Sequence, residues 1–227
     1  MSEGDGADRG PVLQGEPSTD RSSASRCTNP DVQSNMHVDG SKYAAIMRLD
    51  GDEHNRRGVG GLGALTGTGL LHALWELPVG IPWPVEQIAI RDLATLRMAE
   101  PGWITIEDGL VERKYRPPGR VATVMTSDDS LARSVKRVSM HPPTVERIAV
   151  WTRNAQRPYR NIASTANLAE NGGIGIIVET DGERELLVSP RAAVIGRPSI
   201  YRWWQAELVY RNWLTNTSPT APTATSA

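Results

Sequence analysis

The chain has 227 residues, and its 25 basic and 26 acidic side chains leave a formal charge of −1. This balance excludes a protein that coats nucleic acid through a global positive charge. The one cysteine, Cys27, excludes an internal disulfide framework and a cysteine-rich metal site. The first residues contain no apolar signal core, and no apolar run approaches the roughly 20 residues that cross a bilayer. We therefore expect a cytoplasmic protein without a membrane partner.

Both ends of the chain differ in composition from its middle. Residues 1–40 are rich in Ser, Gly, Asp, Arg and Pro and contain isolated apolar residues only. Residues 215–227 consist largely of Thr, Ala, Pro and Ser. Such segments bury too little apolar surface to offset the loss of chain entropy. Both ends are therefore predicted to be disordered tails.

The first half of the remaining chain contains one short apolar element and two helix signals. Tyr43–Leu49 is apolar and is compatible with a strand or a helix, and the polar stretch Asp50–Gly58 is interpreted as a link. Leucines at helical spacing predict a helix over Thr68–Leu77. Pro84 suits the first turn of another helix, which is predicted to run towards Ala99.

The second half contains two hairpin signals. Trp103–Tyr115 and Ile174–Val188 each place an Asp-Gly pair between two β-prone runs, and this pair favours the positive backbone angles of a tight turn. Val121–Met125 is a further strand candidate. Helices are predicted at Ser127–Val138, Thr144–Trp151 and Ser199–Leu214. The mixture of helices and two hairpins predicts an α+β fold.

Glu107–Arg120 carries the clearest functional signal. It reads EDGLVERKYRPPGR, in which an Asp-Gly turn leads into a basic segment that Pro-Pro-Gly-Arg closes. The pair Ile88-Ala89, followed by the run Gly109-Leu110-Val111-Glu112-Arg113, resembles the DNA-binding half of winged helix-turn-helix regulators over about residues 85–120. The resemblance implies a transcription regulator that binds double-stranded DNA.

The resemblance also implies where DNA would be contacted. In that family the second helix of the motif enters the major groove, while the hairpin, called the wing, lies along phosphates or a minor groove. Lys114, Arg116 and Arg120 would then contact phosphates. The complete set of implied DNA-binding residues is Arg91, Arg97, Arg113, Lys114, Arg116 and Arg120.

Two points follow from laying this pattern on the chain. The recognition helix would occupy about Arg97–Asp108, where Pro101, Gly102 and a β-prone run favour a strand, so helix and strand both stay open. The chain would divide into a winged-helix-like domain at 41–126 and an α+β region for dimerisation or sensing at 127–214.

Two other motifs suggest an enzyme. Gly58–Gly63 matches G-x-G-x-x-G before a possible helix, an arrangement in which backbone amides hold a pyrophosphate, although the residues before it are polar. Glu112-Arg113-Lys114 has the E-x-K form that, with an upstream acid such as Asp92 or Asp108, holds a divalent metal in some nucleases. A flexible glycine loop and a salt-bridged surface strand explain these motifs better. We therefore predict no catalytic, cofactor-binding or metal-binding residue, and keep a nucleotide-binding enzyme as the alternative.

The predicted helix Ser199–Leu214 is unusually aromatic. Its large rings are Tyr201, Trp203, Trp204, Tyr210 and Trp213, and Arg202 and Arg211 lie between them. Such a helix suits a stacking platform for bases, a protein core or a homodimer interface. A non-catalytic structural or partner-binding protein is the third hypothesis.

Overall fold

The computed structural model describes residues 30–38, 41–153, 162–194 and 199–217. The predicted tail residues 1–29 and 218–227 lie outside these ranges. The strands are β1 (Asp31–Val38), β2 (Ser41–Leu49), β3 (Trp83–Pro84), β4 (Ile104–Glu107), β5 (Leu110–Arg113), β6 (Gly119–Asp128), β7 (Glu146–Thr152), β8 (Gly175–Thr180) and β9 (Glu183–Val188). The helices are α1 (Gly51–Gly60), α2 (Thr68–Trp75), α3 (Ile90–Arg97), α4 (Leu131–Ser139), α5 (Ile162–Asn171) and α6 (Ile200–Thr217). The predicted α+β class is confirmed.

Six of the strands form one mixed sheet in the order β1-β2-β6-β7-β8-β9. The strands β6, β7 and β8 run parallel, and each of the other neighbours is antiparallel. Parallel neighbours require a crossover connection, and α4 supplies it between β6 and β7. Its apolar residues Leu131, Val135 and Val138 pack on the sheet together with Ala149 and Trp151 of β7.

A second, smaller sheet is inserted between β2 and β6, which are themselves neighbours in the large sheet. Its order is β3-β5-β4, and all of its pairings are antiparallel. Leu71 and Leu74 of α2 and Leu96 of α3 pack with Val111 of β5 in a core of their own. Residues 51–118 therefore form a distinct packing unit, which we call the inserted unit.

Both predicted Asp-Gly hairpins are confirmed. Asp108 and Gly109 have φ of +50° and +75°, and Asp181 and Gly182 have φ of +51° and +87°. Two successive residues with positive φ define the type I′ two-residue hairpin turn, and Asp and Gly tolerate that conformation at low cost. The stretch after Pro101 is therefore strand β4 and not a recognition helix.

Several other elements also agree with the sequence. The predicted Ser127–Val138 helix is α4, which begins after its N-cap Ser130, whose hydroxyl accepts a hydrogen bond from the Arg133 amide. The structure likewise contains α2, α6 and the strand β6 at their predicted places. These elements have strong local sequence signals, and tertiary packing keeps the secondary structure that those signals predict.

Three element predictions were wrong. Asp50–Gly58, interpreted as a link, lies largely in α1, which Asp50 caps by accepting a hydrogen bond from the Glu53 amide. Thr144–Trp151, predicted as a helix, contains most of β7. The helix predicted from Pro84 is instead a 3-10 turn at Val85–Gln87 followed by the separate helix α3.

The boundary of the N-terminal tail also needs correction. Strand β1 lies inside the range 1–40 that was assigned to the tail. It pairs with β2 along its whole length, and Val32 and Ser34 alternate into the interior. The ordered chain therefore begins before the predicted boundary at residue 40, because pairing with β2 supplies stability that the sequence of β1 does not show.

Candidate nucleic-acid interface

Helix α3 presents one exposed face with a regular composition. The exposed residues between 90 and 98 are Ile90, Arg91, Ala94, Arg97 and Met98. At 100° per residue they fall within an arc of about 120°, with the two arginines at its edges and the three apolar residues between them. Leu96 points the opposite way and is fully buried. The helix is therefore anchored on one side and offers an apolar stripe between two cations on the other.

The exposure of this stripe is extreme for apolar side chains. Ile90 is 88% exposed and Met98 is 87% exposed. Within the described residues, neither Arg91 nor Arg97 forms a salt bridge. Sequence reasoning identified the two arginines but missed the apolar residues between them. The available signal was that Ile90, Ala94 and Met98 repeat at helical spacing out of phase with Leu93 and Leu96.

The hairpin β4–β5 is less basic than its sequence suggested. Its tip carries Glu107 and Asp108, and Glu112 lines the same shallow cleft. Basic side chains occur only where the hairpin ends, at Arg113 and beyond. The positively charged wing expected from the sequence is thus an acidic tip followed by a basic exit segment, residues 114–120.

Arg113 is buried and serves the interior. Its side chain donates a hydrogen bond to the Leu74 carbonyl at 2.7 Å, and its guanidinium carbon lies 5.0 Å from the centre of a Trp203 ring. Burial lowers the pKa of Arg113, and the nearby Tyr115 only partly opposes this shift. With 7% of its surface exposed, Arg113 joins α2 and α6 to the small sheet and is poorly placed for a phosphate contact.

The three basic residues of the exit segment differ in availability. Lys114 pairs with Glu112 at 2.5 Å, so its charge is already partly neutralised. Arg116 and Arg120 are exposed and form no salt bridge with any residue in the described part of the chain. Arg120 lines a cavity that also contains Arg202. Arg116 and Arg120 are therefore the stronger candidates for contacts with an anion.

A buried ionic network holds the exit segment in place. Arg57 and Glu207 are both fully buried, and the Nη2 of Arg57 lies 2.8 Å from Glu207 Oε1. The same Nη2 donates to the Arg116 carbonyl at 2.7 Å. Glu53 accepts a hydrogen bond from the Nε of Arg57 at 2.8 Å. The backbone of the segment is thus tied to α1 and α6 through one guanidinium.

The network is closed by further donors. Glu207 also accepts from the Leu65 amide at 2.7 Å and from the Tyr115 hydroxyl at 2.9 Å. Burial opposes the charge on Arg57, but hydrogen bonds and attraction from Glu207 and Glu53 prevail and hold its pKa above the ordinary value. Burial, and then the charge of Glu207, raises the pKa of Tyr115. The group is structural: its polar atoms are turned towards one another.

The Gly58–Gly63 segment has a different setting from a dinucleotide loop. Gly58 and Gly60 belong to the last turn of α1, and Gly61 caps it with φ of +65°. A helix C-terminus presents carbonyl oxygens and a partial negative charge, which disfavours phosphate. The strand that should precede a pyrophosphate-binding loop is replaced here by a helix.

The remaining chemical motifs do not converge. Glu112 and Lys114 of the E-x-K motif pair with each other. In the described ranges no group of three or more His, Cys, Asp or Glu side chains could hold a metal ion. None of the helices in those ranges is both long and apolar enough to cross a bilayer.

The aromatic helix α6 is largely used inside the chain. Its central residues, Gln205 to Tyr210, are all buried. Trp203 contacts Trp75 and Tyr115, with ring centres 4.7 Å and 5.2 Å apart. Because α6 packs against both the large sheet and the inserted unit, a homodimer through it would have to use its exposed residues. Dimerisation through Ser199–Leu214 stays a prediction.

A comparison with known proteins found no matching family model, no similar curated protein and no similar solved structure. Function must therefore be inferred from the geometry of individual sites.

Proposed function

We propose that this protein binds double-stranded DNA and acts as a transcription regulator, with α3 entering a groove and Arg116 and Arg120 contacting backbone phosphates. The exposed face of α3 carries the proposal. A stripe of exposed Ile90, Ala94 and Met98 costs solvation free energy in the free protein, and such patches commonly mark interaction sites. The flanking arginines indicate a partner with negative charge on both sides of an apolar strip.

The major groove of DNA has that character. It is about 12 Å wide, and an α-helix with its side chains is about 10–12 Å across. Thymine methyl groups offer apolar contacts on its floor, and phosphates line its edges. Arg91 and Arg97, at the two borders of the exposed arc, can reach phosphates or guanine edges while Ala94 faces the bases.

The resemblance to winged helix-turn-helix regulators is retained in a modified form. The recognition helix is placed at α3, before the position that the family pattern suggested, and the acidic hairpin tip is left out of the contact. Lys114 contributes less than Arg116 and Arg120 because Glu112 pairs with it. A DNA-binding role agrees with the cytoplasmic location expected from the sequence.

A salt-dependent titration tests this proposal. Labelled random-sequence duplex is titrated with the protein at several salt concentrations, using the parent chain, an Arg91→Ala/Arg97→Ala variant and an Arg116→Ala/Arg120→Ala variant. Each lost phosphate contact should reduce the slope of log K against log salt by about 0.9, so each double variant should lose up to about 1.8.

The matched control removes two arginines elsewhere. Arg48 and Arg133 are exposed and already paired with aspartates, so an Arg48→Ala/Arg133→Ala variant changes the net charge equally. If it weakened binding as much as the other double variants, the effect would be one of net charge, and the α3 assignment would be wrong. Absence of binding by the parent chain at low salt would dismiss DNA binding altogether.

The apolar stripe allows a second test. Replacing Ile90 and Met98 by Ser removes no charge, so the salt slope should stay unchanged. Affinity for a selected binding sequence should fall while affinity for random duplex stays the same, because apolar base contacts carry sequence information and phosphate contacts do not. Equal affinities of this variant and the parent for a selected sequence would exclude α3 from the groove.

A further inference from the structure

The large sheet has one face that helices cover and one open face. The helices α4, α5 and α6 all pack on the same face, over buried residues of four adjacent strands: Ala45, Val124, Ala149 and Ile176. Successive residues of a strand point to opposite faces of a sheet. The open face therefore receives the chain neighbours of those residues: Ala44, Met125, Val150 and Ile177.

A cavity of about 650 Å³ lies on this open face. Its apolar floor consists of Ala44, Met125, Val150 and Ile177, and every described residue that lines it belongs to a strand. Pockets of roughly 300–1,000 Å³ with mostly apolar walls and a few polar groups are typical sites for small molecules. The cavity therefore has room for a drug-sized ligand.

One end of the cavity carries uncharged amides. Asn35 of β1 is paired with Ala44 of β2, and Gln33 lies two residues along the same strand, so both side chains are on the open face. Both residues are exposed, and neither amide has a hydrogen-bond partner among the described residues. Because an amide offers donors and an acceptor, this end suits a hydroxyl group.

The opposite end carries an acceptor whose charge is already balanced. Glu179 of β8 is paired across the strands with Arg184 of β9, and their side chains lie 3.7 Å apart. This distance is too long for a hydrogen bond, and an ionised carboxylate accepts several hydrogen bonds at once. Glu179 can thus accept one from a ligand while Arg184 keeps its place. Because the charges of Glu179 and Arg184 offset each other and the other described lining residues are uncharged, the cavity favours an uncharged ligand.

The spacing of the two ends sets the shape of the ligand. Four strand spacings of about 4.8 Å separate β1 from β8, or roughly 19 Å. The side chains of both ends and their hydrogen bonds take up part of this distance, which leaves an apolar span of roughly 10 Å. A ligand that satisfies both ends must be elongated, with its polar groups at its two extremities.

We propose that this cavity binds an uncharged, elongated aromatic molecule that carries a hydroxyl group at each end. One hydroxyl donates to the Glu179 carboxylate, and the other bonds to the amide of Asn35 or Gln33. The rings lie across the apolar floor, where the thioether of Met125 makes favourable contacts with them. The site shares no residue with α3 or with residues 114–120, so its failure and the failure of DNA binding are measured separately.

Fluorescence titration of the full chain with three related probes tests both ends. The probes are trans-4,4′-dihydroxystilbene, trans-4-hydroxystilbene and trans-stilbene, which present two, one and no hydroxyl groups on the same rigid rod. Each hydroxyl should lower Kd by about three- to tenfold, the usual scale of one hydrogen bond.

Variants of the two ends make the test specific. Gln33→Ala/Asn35→Ala removes the amide end, and Glu179→Ala removes the acidic end. With either end removed, the second hydroxyl has no partner, so dihydroxystilbene and hydroxystilbene should bind with nearly equal Kd. The matched control Asn167→Ala/Glu170→Ala removes an exposed amide and an exposed acid of α5, on the covered side of the sheet, and should leave every Kd unchanged.

Ala44→Trp fills the floor of the cavity and should abolish binding of all three probes. Its unfolding temperature shows whether this variant is folded, and the variants of the exposed end residues decide the question if it is not. Absence of dihydroxystilbene binding by the parent chain would overturn the site. Equal Kd values for the three probes would do so as well, since they would indicate apolar adhesion without the polar ends. Binding that survives in folded Ala44→Trp would place the probes elsewhere.

Discussion

Replacing Glu207 by Gln should destabilise the whole chain, although the change is nearly isosteric. The carboxylate of Glu207 accepts four hydrogen bonds: two from Arg57, one from the Leu65 amide and one from the Tyr115 hydroxyl. A glutamine has one acceptor oxygen and brings two N–H groups into this space. Some of these donors must then lose their partner, and the buried Arg57 cation loses its main counter-charge.

The size of the effect follows from the burial of the pair. Removing one partner of a buried ion pair typically costs 3–5 kcal/mol, because the other charge is left uncompensated. Since Glu53 still faces Arg57 after the change, we expect the lower end, about 3 kcal/mol. At roughly 2–4 °C per kcal/mol for a chain of this size, the unfolding temperature should fall by about 6–12 °C.

Urea unfolding followed by tryptophan fluorescence measures this difference. Glu179→Gln is the matched control: it makes the same chemical change at a longer, partly exposed ion pair with Arg184, and should cost less than about 1 kcal/mol. A double variant, Arg57→Met/Glu207→Met, should be less destabilised than the sum of the single variants, because the two side chains interact directly. A Glu207→Gln cost below about 1 kcal/mol, or strict additivity in the double variant, would refute the network.

Three further predictions concern other parts of the fold. Burial, and then the charge of Arg147, lowers the pKa of His141, so the unfolded chain binds a proton at this histidine at a higher pH than the folded chain does. The stability present above about pH 6.5 is therefore lost as the pH falls towards the folded pKa. The urea midpoint should fall less between pH 7.5 and 5.5 in His141→Gln than in the parent, and an identical fall would contradict this. Gly119→Ala should cost about 1–3 kcal/mol of stability because a Cβ there would lie 2.3 Å from the Arg48 carbonyl oxygen. Gly69→Ala, in open space within α2, should instead stabilise by about 0.5–1 kcal/mol. Thermal unfolding measures both variants, and a shift of both unfolding temperatures in the same direction would disprove the comparison. Trp203→Ala should destabilise the chain by about 3 kcal/mol in urea unfolding, because Trp203 packs inside the protein. The urea midpoint of the parent chain should then not change when the protein is diluted, and a midpoint that depends on protein concentration would instead favour dimerisation.

The candidate interface was only partly predictable from the sequence. Arg116 and Arg120 could be proposed because charge and exit from a hairpin are local features, whereas Arg91 and Arg97 were proposed because the family resemblance put them near the recognition helix. Nothing local distinguishes Arg113 from them. It is buried because Leu74 and Trp203, both distant in sequence, meet at its guanidinium.

The elements that could be predicted from the sequence are those that interactions between neighbouring residues stabilise. Asp-Gly pairs at 108–109 and 181–182 accept positive φ by themselves, which made both hairpins predictable. A capped amphipathic segment made α4 predictable for the same reason.

Contacts between elements decided the rest, and for α1 and β7 these contacts join residues that are distant in sequence. Helix α1 has no apolar stripe, and the residues it buries are Glu53 and Arg57. Their buried charges are stable only because Glu207 of α6 pairs with Arg57. Strand β1 has isolated apolar residues and is ordered by pairing with β2. Strand β7 lies between two parallel neighbours, and those pairings override its helical pattern. The counter-charge of α1 and the parallel partner strands of β7 come from segments outside a short sequence window. The partner of β1 is its neighbour in sequence, but the largely polar composition of β1 does not indicate that pairing.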